Sequence, residues 1–358
     1  MINRDRLVKT FCELVTIDSP SGEEDEIAAD LQSRLEALGL SVYVDGYGNL
    51  IANEGRESPL LLSAHMDTVE PGRGIKPLVE GDHIATDGTT ILGGDCKAGV
   101  AAILEALQSL KEDGADHIPI EVCFTRAEEP GLLGARNLDY SRVTARECII
   151  LDGEGPPSHI ISSAPTYIGF RIDIRGRAAH AGVAPETGLS AIRIAAEIIT
   201  RLPQGRLDKE TTFNIGTFHG GLVRNAVPEN ATMVGEWRST SLKALDDVQE
   251  RFHAVMTEVR GMFPDAVVEA QLDTEFETYT LTEADPATRR VQATLRRLGM
   301  EATMVPSGGG SDGNIFRQKG ISAVVVGMGE YGMHSRQEHV SIPELMDTAH
   351  FCEVALKG

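Results

Sequence analysis

Five side chains of types that bind metal ions lie far apart in this chain of 358 residues: His65, Asp95, Glu129, Asp152 and His334. Four of the five close an apolar run or lie on the glycine-rich turn that follows one, as functional residues at the strand ends of α/β proteins do. Five ligands are one more than a tetrahedral zinc ion needs, so the pattern predicts two metal ions that share a carboxylate. Such a pair indicates a hydrolase.

The first candidate ligand, His65, ends the apolar run LLLSAH, and Asp67 follows two residues later. In an extended segment residues i and i+2 point to the same side, so Asp67 can accept a hydrogen bond from the ring nitrogen of His65 that faces away from the metal. A single His-x-Asp sequence is more often an ordinary polar strand end. The prediction therefore depends on the other motifs.

The acidic candidates each have a plain structural alternative. Asp95, in ILGGDCKAG, directly precedes a helical pattern, where a helix N-cap is the alternative to a metal ligand. Glu128 and Glu129 follow the run PIEVCFT; adjacent acids are usually just solvated, but here one can bind metal while the other takes a proton from a metal-bound water. Asp152 ends the run ECIILD. Because all these motifs recur at strand or turn positions, we interpret them jointly as one site.

Two histidines, His334 and His339, lie in the glycine-rich segment GMGEYGMHSRQEH near the end of the sequence. Residues five apart do not share a helical face, which excludes a joint ligand pair of the HExxH kind. One of the two is therefore expected to be structural.

Composition excludes several classes of function. The chain has 33 basic and 54 acidic residues, a formal charge of -21, which would repel a nucleic-acid backbone and an anionic membrane surface. No apolar run approaches a membrane span, and the first residues lack the pattern of a signal peptide. The five cysteines form no CxxC, so neither a disulfide framework nor a thiolate zinc site is predicted. We expect a cytoplasmic protein with no nucleic-acid or membrane partner.

The order of strand and helix patterns predicts two domains. Up to about residue 164, and again from residue 275, apolar strands alternate with helices, which is typical of a mostly parallel α/β sheet with helices on both faces. Between them the order is β-α-β-β-α-β, the ferredoxin-like arrangement of a small α+β domain. We therefore predict a catalytic domain of residues 1–164 and 275–358 with an inserted domain of residues 165–274. A Rossmann-type nucleotide site is disfavoured, since no GxGxxG follows an early strand.

The motifs SAHMDTV, GGDCKAG, RAEEPG, LDGE, GRAAHAG and MHSRQEH resemble those of the M20 family of cocatalytic di-zinc metallopeptidases, and most closely its peptidase T-like tripeptidases. The resemblance covers essentially the whole chain, including the inserted domain. It implies that His65 and Asp152 hold one zinc ion, that Glu129 and His334 hold the other, and that Asp95 bridges them. Cobalt and manganese accept the same nitrogen and oxygen ligands.

The resemblance also implies roles for residues that do not bind metal. Glu128 resembles the family's general base, and Asp67 resembles the acid that orients a metal-binding histidine. His180, in the inserted domain, would reach the active site of a second copy of the chain and polarise the scissile carbonyl, so a homodimer through this domain is implied. Asn225 and Arg238 resemble substrate-binding residues, and an arginine fork suits the terminal carboxylate of a peptide.

The preferred substrate is also inferred from the resemblance. In the family an aspartate at the position of Asp152 accompanies aminopeptidases and tripeptidases, which implies removal of the N-terminal residue of small peptides. The alternatives are an N-acyl amino acid deacylase or carboxypeptidase on the same scaffold and, in a different class, a non-catalytic metal-binding dimerisation protein. Retention of Glu128 and of all five ligands disfavours the last. Cys96 stands where the family's tripeptidases usually carry a second aspartate, and we expect little effect on activity.

Overall fold

The computed structural model describes residues 1–357. Its α-helices are α1 Arg4–Val15, α2 Asp25–Leu38, α3 Gly94–Asp113, α4 Leu133–Asn137, α5 Ala191–Arg201, α6 Leu242–Met262, α7 Pro286–Arg297, α8 Asp312–Gln318 and α9 Ile342–Leu356, with a 3₁₀ turn at Pro185–Thr187.

The strands are β1 Ser41–Val44, β2 Leu50–Asn53, β3 Leu60–His65, β4 Leu78–Glu80, β5 His83–Ala85, β6 Ile120–Thr125, β7 Glu147–Glu154, β8 His159–Ala164, β9 Thr166–Arg175, β10 Ala179–His180, β11 Gly205–Arg206, β12 Thr211–Gly220, β13 Ala226–Val227, β14 Asn230–Ser239, β15 Val267–Phe276, β16 Tyr279–Thr280, β17 Thr303–Pro306, β18 Ser322–Tyr331 and β19 His339–Ser341.

The chain divides into two compact units. The larger unit contains residues 1–163, 280–307 and 311 onward, and the smaller contains residues 164–279 and 308–310. The second boundary lies five residues later than the predicted 274/275. The reason is that β15 continues to Phe276, after which Thr278 hydrogen-bonds to the Thr166 hydroxyl and the Ala164 carbonyl of the smaller unit. The inclusion of residues 308–310 in the smaller unit was not predicted.

The larger unit is organised around four parallel strands in the order β6-β3-β7-β18. All six residues of β3 and all six of β6 are buried, as expected for apolar runs covered on both faces of a sheet. Antiparallel strands flank this centre, with β2 and β1 on one side and β19, β5 and β4 on the other. Since the four central strands are parallel, their carboxyl ends lie at one edge of the sheet.

Helices pack against this sheet at several places. Helix α3 contacts β3 and β7, whereas α7, α8 and α9 contact β18. The predicted alternation of strands and helices is therefore present. Among residues 1–357, no helix has the length and apolar content that crossing a membrane requires.

The smaller unit is a five-stranded antiparallel sheet in the order β11-β12-β14-β9-β15, with α5 and α6 packed against it. The alternating burial along β9 places one face of the strand in the core. That core contains the mutually packed rings of Phe170, Phe213, Trp237 and Phe252. The long strands and helices follow the predicted β-α-β-β-α-β order, and the shortest strands were not predicted because two or three residues show no periodicity.

Candidate active site

One group of candidate ligands lies at the carboxyl ends of β3 and β7. The Nε2 atom of His65 is 3.0 Å from Oδ1 of Asp95 and 3.5 Å from Oδ1 of Asp152. All three side chains are almost inaccessible to solvent. Ligand atoms of these residues and of Cys96 lie within 4.8 Å of one another. This group brings together one imidazole and two carboxylates, a donor set that suits a divalent cation.

The second group lies beside the first and shares Asp95 with it. The Nε2 atom of His334 is 3.0 Å from Oε1 of Glu129 and 3.2 Å from Oδ2 of Asp95. The two carboxylate oxygens of Asp95 thus face different histidines, Oδ1 facing His65 and Oδ2 facing His334. The structure therefore brings all five predicted ligands together, with Asp95 in the shared position.

The second histidine of the C-terminal segment lies outside both groups. The ring of His339 stacks on Tyr331, with 5.4 Å between centroids, and its Nδ1 lies 3.2 Å from the carbonyl oxygen of Gln337. His334, the histidine predicted as a ligand, is therefore the one of the two that lies at the candidate site.

Asp95 is held on its glycine turn by a distant side chain that the sequence motifs do not indicate. The buried carboxylate of Glu338 accepts the backbone N–H groups of Leu92, Gly93 and Asp95 at 2.7, 2.8 and 3.1 Å. A side chain at Gly94 would lie 2.9 Å from the Cγ atom of Glu330, so this position requires glycine. The Asp95–Cys96 peptide bond is cis. Glu338 is 243 residues from Asp95 in the sequence, so spacing alone could not have found it.

Asp67 contacts His65, but mainly through a different atom from the one predicted. The Nδ1 atom of His65 is 3.0 Å from the carbonyl oxygen of Asp67 and 3.4 Å from its carboxylate. That carboxylate accepts the backbone N–H groups of Glu128 at 2.9 Å and Glu129 at 3.3 Å, and the Ser21 hydroxyl at 2.6 Å. Burial opposes its charged form, but the bonds from His65, Ser21 and Glu128 outweigh burial and lower the pKa of Asp67. Asp67 therefore orients the histidine and also holds the two glutamates.

Glu128 is buried beside the two ligand groups but belongs to neither. Burial raises the pKa of its carboxyl well above the usual value, and the nearby charges of Asp152, Asp312 and Glu129 raise it further. A carboxyl group with a raised pKa in such a position has the properties of a general base that must later return its proton.

The protein groups by themselves leave the site with an excess of negative charge. Burial raises the pKa of Asp152 to about 6 and also raises the pKa of Glu129. Hydrogen bonds to Asp95 and Glu129 raise the pKa of His334 to about 10. Burial opposes the charged form of His65, but hydrogen bonds to Asp152, Asp67 and Asp95 outweigh burial and raise the pKa of His65 well above its usual value. Groups that retain protons so strongly favour additional positive charge, which a divalent cation provides.

Cys96 lies beside the first ligand group, and its thiol donates a hydrogen bond to the carbonyl oxygen of Leu151. Burial raises the pKa of this thiol well above its usual value. The neighbouring Lys97 is completely buried and donates to the carbonyl oxygen of Ile17 at 2.8 Å.

Further buried acids surround the site. Asp312, in the glycine-rich segment of residues 307–314, accepts the Thr125 hydroxyl through Oδ2, and its Oδ1 has no hydrogen-bond partner among the described residues. Burial raises the pKa of Asp312 to about 7. The sequence assigned no role to this segment, whose serine Ser311 caps helix α8.

The three candidate residues of the smaller unit do not form one group. His180 and Asn225 lie on neighbouring exposed segments, where the N–H of Ala181 donates to the carbonyl oxygen of Asn225 at 3.1 Å. Arg238 lies near the far end of β14, and its guanidinium donates two hydrogen bonds to Glu236 and packs 4.5 Å from the centre of the Tyr167 ring. The arginine fork is thus engaged within the smaller unit itself.

Comparison with known proteins supports the same assignment. Residues 164–261 match the family described as peptidase dimerisation domain, and residues 49–158 match peptidase family M28. An uncharacterised protein of Bacillus subtilis, YqjE, is 38% identical over 98% of this chain and 97% of its own length. A crystal structure of a tripeptidase from Staphylococcus aureus is 35% identical, with a TM-score of 0.90 over 100% of this chain and 98% of that one. The chain belongs to the M20 family of peptidases and is peptidase T-like.

A second solved structure, of the aminopeptidase PepT from Bacillus cereus, is also 35% identical to this M20 peptidase. Its TM-score is 0.86, and the match covers 99% of this chain and 98% of that one. The predicted fold, a mostly parallel α/β domain combined with a smaller α+β domain, is confirmed. The protein is a hydrolytic peptidase enzyme of the exopeptidase type, and its two ligand groups support divalent metal binding.

Proposed function

We propose that this peptidase removes the N-terminal residue of small peptides, preferably tripeptides, in a reaction that depends on two divalent metal ions. The observation that carries the proposal is a pair of ligand groups that share Asp95, with the buried Glu128 beside them and outside both groups. The similar structures of a tripeptidase and of an aminopeptidase PepT support the choice of substrate.

The side chains at the site fit two metal ions. His65 and Asp152 would hold one ion, Glu129 and His334 the other, and Asp95 both. Nitrogen and carboxylate oxygen donors suit zinc, and they also accept cobalt or manganese. When bound, the ions would supply a water molecule with a pKa near neutrality and would polarise the peptide carbonyl.

Glu128 is the group that moves the proton. It accepts a proton from the attacking water, whose oxygen forms the new bond to the carbonyl carbon, and it returns that proton to the leaving amine nitrogen as the peptide bond breaks. Asp67 positions both the base and a metal ligand. Its carboxylate accepts the N–H of Glu128, and its carbonyl oxygen faces the His65 ring.

His180 is proposed to act in a homodimer formed through the smaller unit, at the site of a second copy. The N–H of Gly182 donates to Nδ1 of His180 at 3.2 Å, which assigns the ring proton to Nε2. The ring is exposed and can therefore donate from Nε2 to the developing negative charge on the carbonyl oxygen. Asn225, on the adjacent segment, is proposed to bind the same substrate.

Arg238 is the proposed partner of the peptide's C-terminal carboxylate. Its present partner, Glu236, is also a carboxylate, and the pair is partly exposed, so exchange of one carboxylate for another involves a small free-energy change.

The test is hydrolysis of an unblocked tripeptide and of its N-acetylated counterpart by metal-free protein supplied with zinc, manganese or cobalt. We expect cleavage of the unblocked peptide alone, and only with metal. Preference for the acetylated peptide would identify a deacylase or carboxypeptidase instead. No hydrolysis of either peptide by protein with two bound metal ions would favour a non-catalytic metal-binding protein.

A further inference from the structure

The turn that carries Glu128 has an unusual backbone. Ala127, immediately before the proposed base, has a φ of +45°, and Leu132, shortly after it, has a φ of +58°. Residues with a Cβ atom rarely adopt this region, and they remain in it only where surrounding groups hold the chain. The turn must therefore be fixed by contacts from outside itself.

Those contacts come from side chains of three earlier segments. The backbone N–H groups of residues 126, 127, 128 and 129 are each accepted by a buried side chain of one of these segments. The acceptors are Asn49 for residue 126 at 3.0 Å, Glu24 for residue 127 at 3.0 Å, and the two carboxylate oxygens of Asp67 for residues 128 and 129 at 2.9 and 3.3 Å. Four successive N–H groups are thus fixed by side chains.

Glu24 directly precedes helix α2, but its side chain makes no capping hydrogen bond to that helix. Its side chain is 0% exposed, and Oε1 accepts the N–H groups of Ala127 and Gly22 while Oε2 accepts Nε and Nη2 of Arg126 at 2.9 and 2.7 Å. Arg126 is itself confined, because a side chain at Gly48 would lie 2.5 Å from its Nη1 atom. Glu24 therefore fixes both the backbone and the side chain of the residues that lead into Glu128.

The same early segment also reaches the other support of the turn. Ser21, three residues before Glu24, donates its hydroxyl to the Asp67 carboxylate that accepts the N–H of Glu128. Residues 21–24 therefore support Glu128 in two ways, through the bond of Ser21 to Asp67 and through the bond of Glu24 to Ala127.

Firm support is needed because the base must keep its position. A general base must stay within hydrogen-bond reach of the proton it takes. Without contacts from other segments, a turn with positive φ at Ala127 and Leu132 would relax towards a more common backbone conformation.

We propose that Glu24 is a positioning residue of this enzyme, which keeps the Glu128 carboxylate in place by fixing Ala127 and Arg126. Glu24 does not touch the reacting atoms, and the inference rests on the proposed role of Glu128 in peptide hydrolysis. Loss of the support is expected to lower the rate of the chemical step and to leave metal and substrate binding in place.

The chain contains a matched control for this idea. Glu105, on α3, is 3% exposed and also accepts one backbone N–H, that of Asn3, and the Nε and Nη2 atoms of one arginine, Arg6. It joins α3 to the start of α1 and has no contact with the 126–129 turn. Glu105→Gln therefore makes the same chemical change in a buried ion pair that has no link to the base.

The experiment compares Glu24→Gln with Glu105→Gln in the metal-loaded enzyme, using the unblocked tripeptide. In either orientation of the new amide, two donors around residue 24 lose their acceptor. We expect Glu24→Gln to lower kcat by about ten- to a hundredfold with KM changed by less than about threefold, as for a misplaced catalytic group. Two metal ions should remain bound. Glu105→Gln should lower the melting temperature by a similar amount and leave kcat within about twofold.

The inference is overturned if kcat of Glu24→Gln stays within about twofold of the wild type, if both variants lose kcat equally, or if the loss lies in KM or in metal content. Should Glu24→Gln fail to fold, Glu24→Asp, which keeps the charge but withdraws the carboxylate from Ala127, carries the same expectation. If the wild-type enzyme itself does not cleave the tripeptide, the proposed function fails; if it does and Glu24→Gln is equally fast, only the present inference fails.

Discussion

The two units of this peptidase differ in whether they bury charged side chains. In the smaller unit the buried polar side chains among the described residues are uncharged: Thr166, Thr211 and Ser239. The larger unit buries many charged ones, among them Glu24, Asp67, Asp95, Lys97, Glu128, Asp312, Glu330 and Glu338. Burying a charge is unfavourable unless it is paired or binds a metal. The difference indicates that metal binding belongs to the larger unit, whereas the smaller unit offers a stable apolar core and exposed polar residues.

The two units also differ in the interactions that stabilise their interiors. The smaller one contains aromatic rings whose centroids lie 5.3 to 5.9 Å apart, a geometry in which ring pairs attract one another. In the larger one, the acids near the site are held by backbone N–H groups and by hydroxyl groups, as seen for Asp67, Glu24 and Glu338. If this contrast is right, substitutions near the candidate site should change catalysis or metal binding. Substitutions in the core of the smaller unit should change the free energy of unfolding.

The largest effect is expected at the base in the larger unit. Glu128→Gln keeps the size of the side chain but cannot accept and return the proton, so kcat should fall by about 10²- to 10⁴-fold. Two metal ions should remain bound, because Glu128 lies outside both ligand groups. Steady-state rates and metal analysis test this, with Glu105→Gln as the control. Activity retained in Glu128→Gln would contradict the role of Glu128 as general base.

A purely structural effect of comparable size is expected in the smaller unit. Trp237 is 0% exposed and its indole N–H has no hydrogen-bond partner among the described residues, so its contribution to stability comes from packing. Trp237→Ala should lower the free energy of unfolding by about 3–5 kcal/mol. Denaturant unfolding measures this, and metal content should be unchanged below the transition. Loss of metal from the folded variant would contradict the separation of roles between the units.

A smaller effect, this time on catalysis, is expected at the exposed His180. If its ring donates to the carbonyl oxygen in a dimer, His180→Ala should lower kcat by about 10²-fold without loss of stability. The exposed His253 of the same unit provides the control, since His253→Ala should have the activity of the wild type. An enzyme that is fully active as a strict monomer at assay concentrations would refute this role, and size-exclusion chromatography with light scattering identifies that state.

The smallest effect, counted per pH unit, concerns the pH dependence of metal binding. The pKa of His334 is raised to about 10 and that of Asp152 to about 6 in the protein alone, so protons must leave these groups before metal binds. Metal affinity should therefore rise as pH increases from about 6 towards 10, by at most roughly tenfold per pH unit for each proton released. Calorimetry at pH 8 in two buffers of different ionisation enthalpy should detect the proton from His334.

Matched histidine variants sharpen that measurement. His339→Ala should release the same number of protons as the wild type, because His339 lies outside the ligand groups. His334→Ala should release fewer protons than the wild type at pH 8 and should lose one metal site. Equal behaviour of the two variants would contradict the assignment of His334.

Much of this molecule follows from its sequence, because apolar periodicity and strand ends are local properties. The four central strands read as continuous apolar runs, and three of the five candidate ligands could be located since they end a run or directly follow one. Asp95 was located by its glycine turn before a helix, and the order of the smaller unit's elements by the succession of strand and helix patterns. The roles of these residues came from resemblance to a family and remain predictions.

Only the tertiary structure decided how these residues are held. It directed the His65 ring mainly to the carbonyl oxygen of Asp67, engaged Arg238 with Glu236, and stacked His339 on Tyr331. It also showed that Glu24 supports a turn 103 residues away. The physical reason is that a buried acid accepts hydrogen bonds from whichever donors the fold brings close to it. Sequence spacing does not reveal a partner that lies on a distant segment.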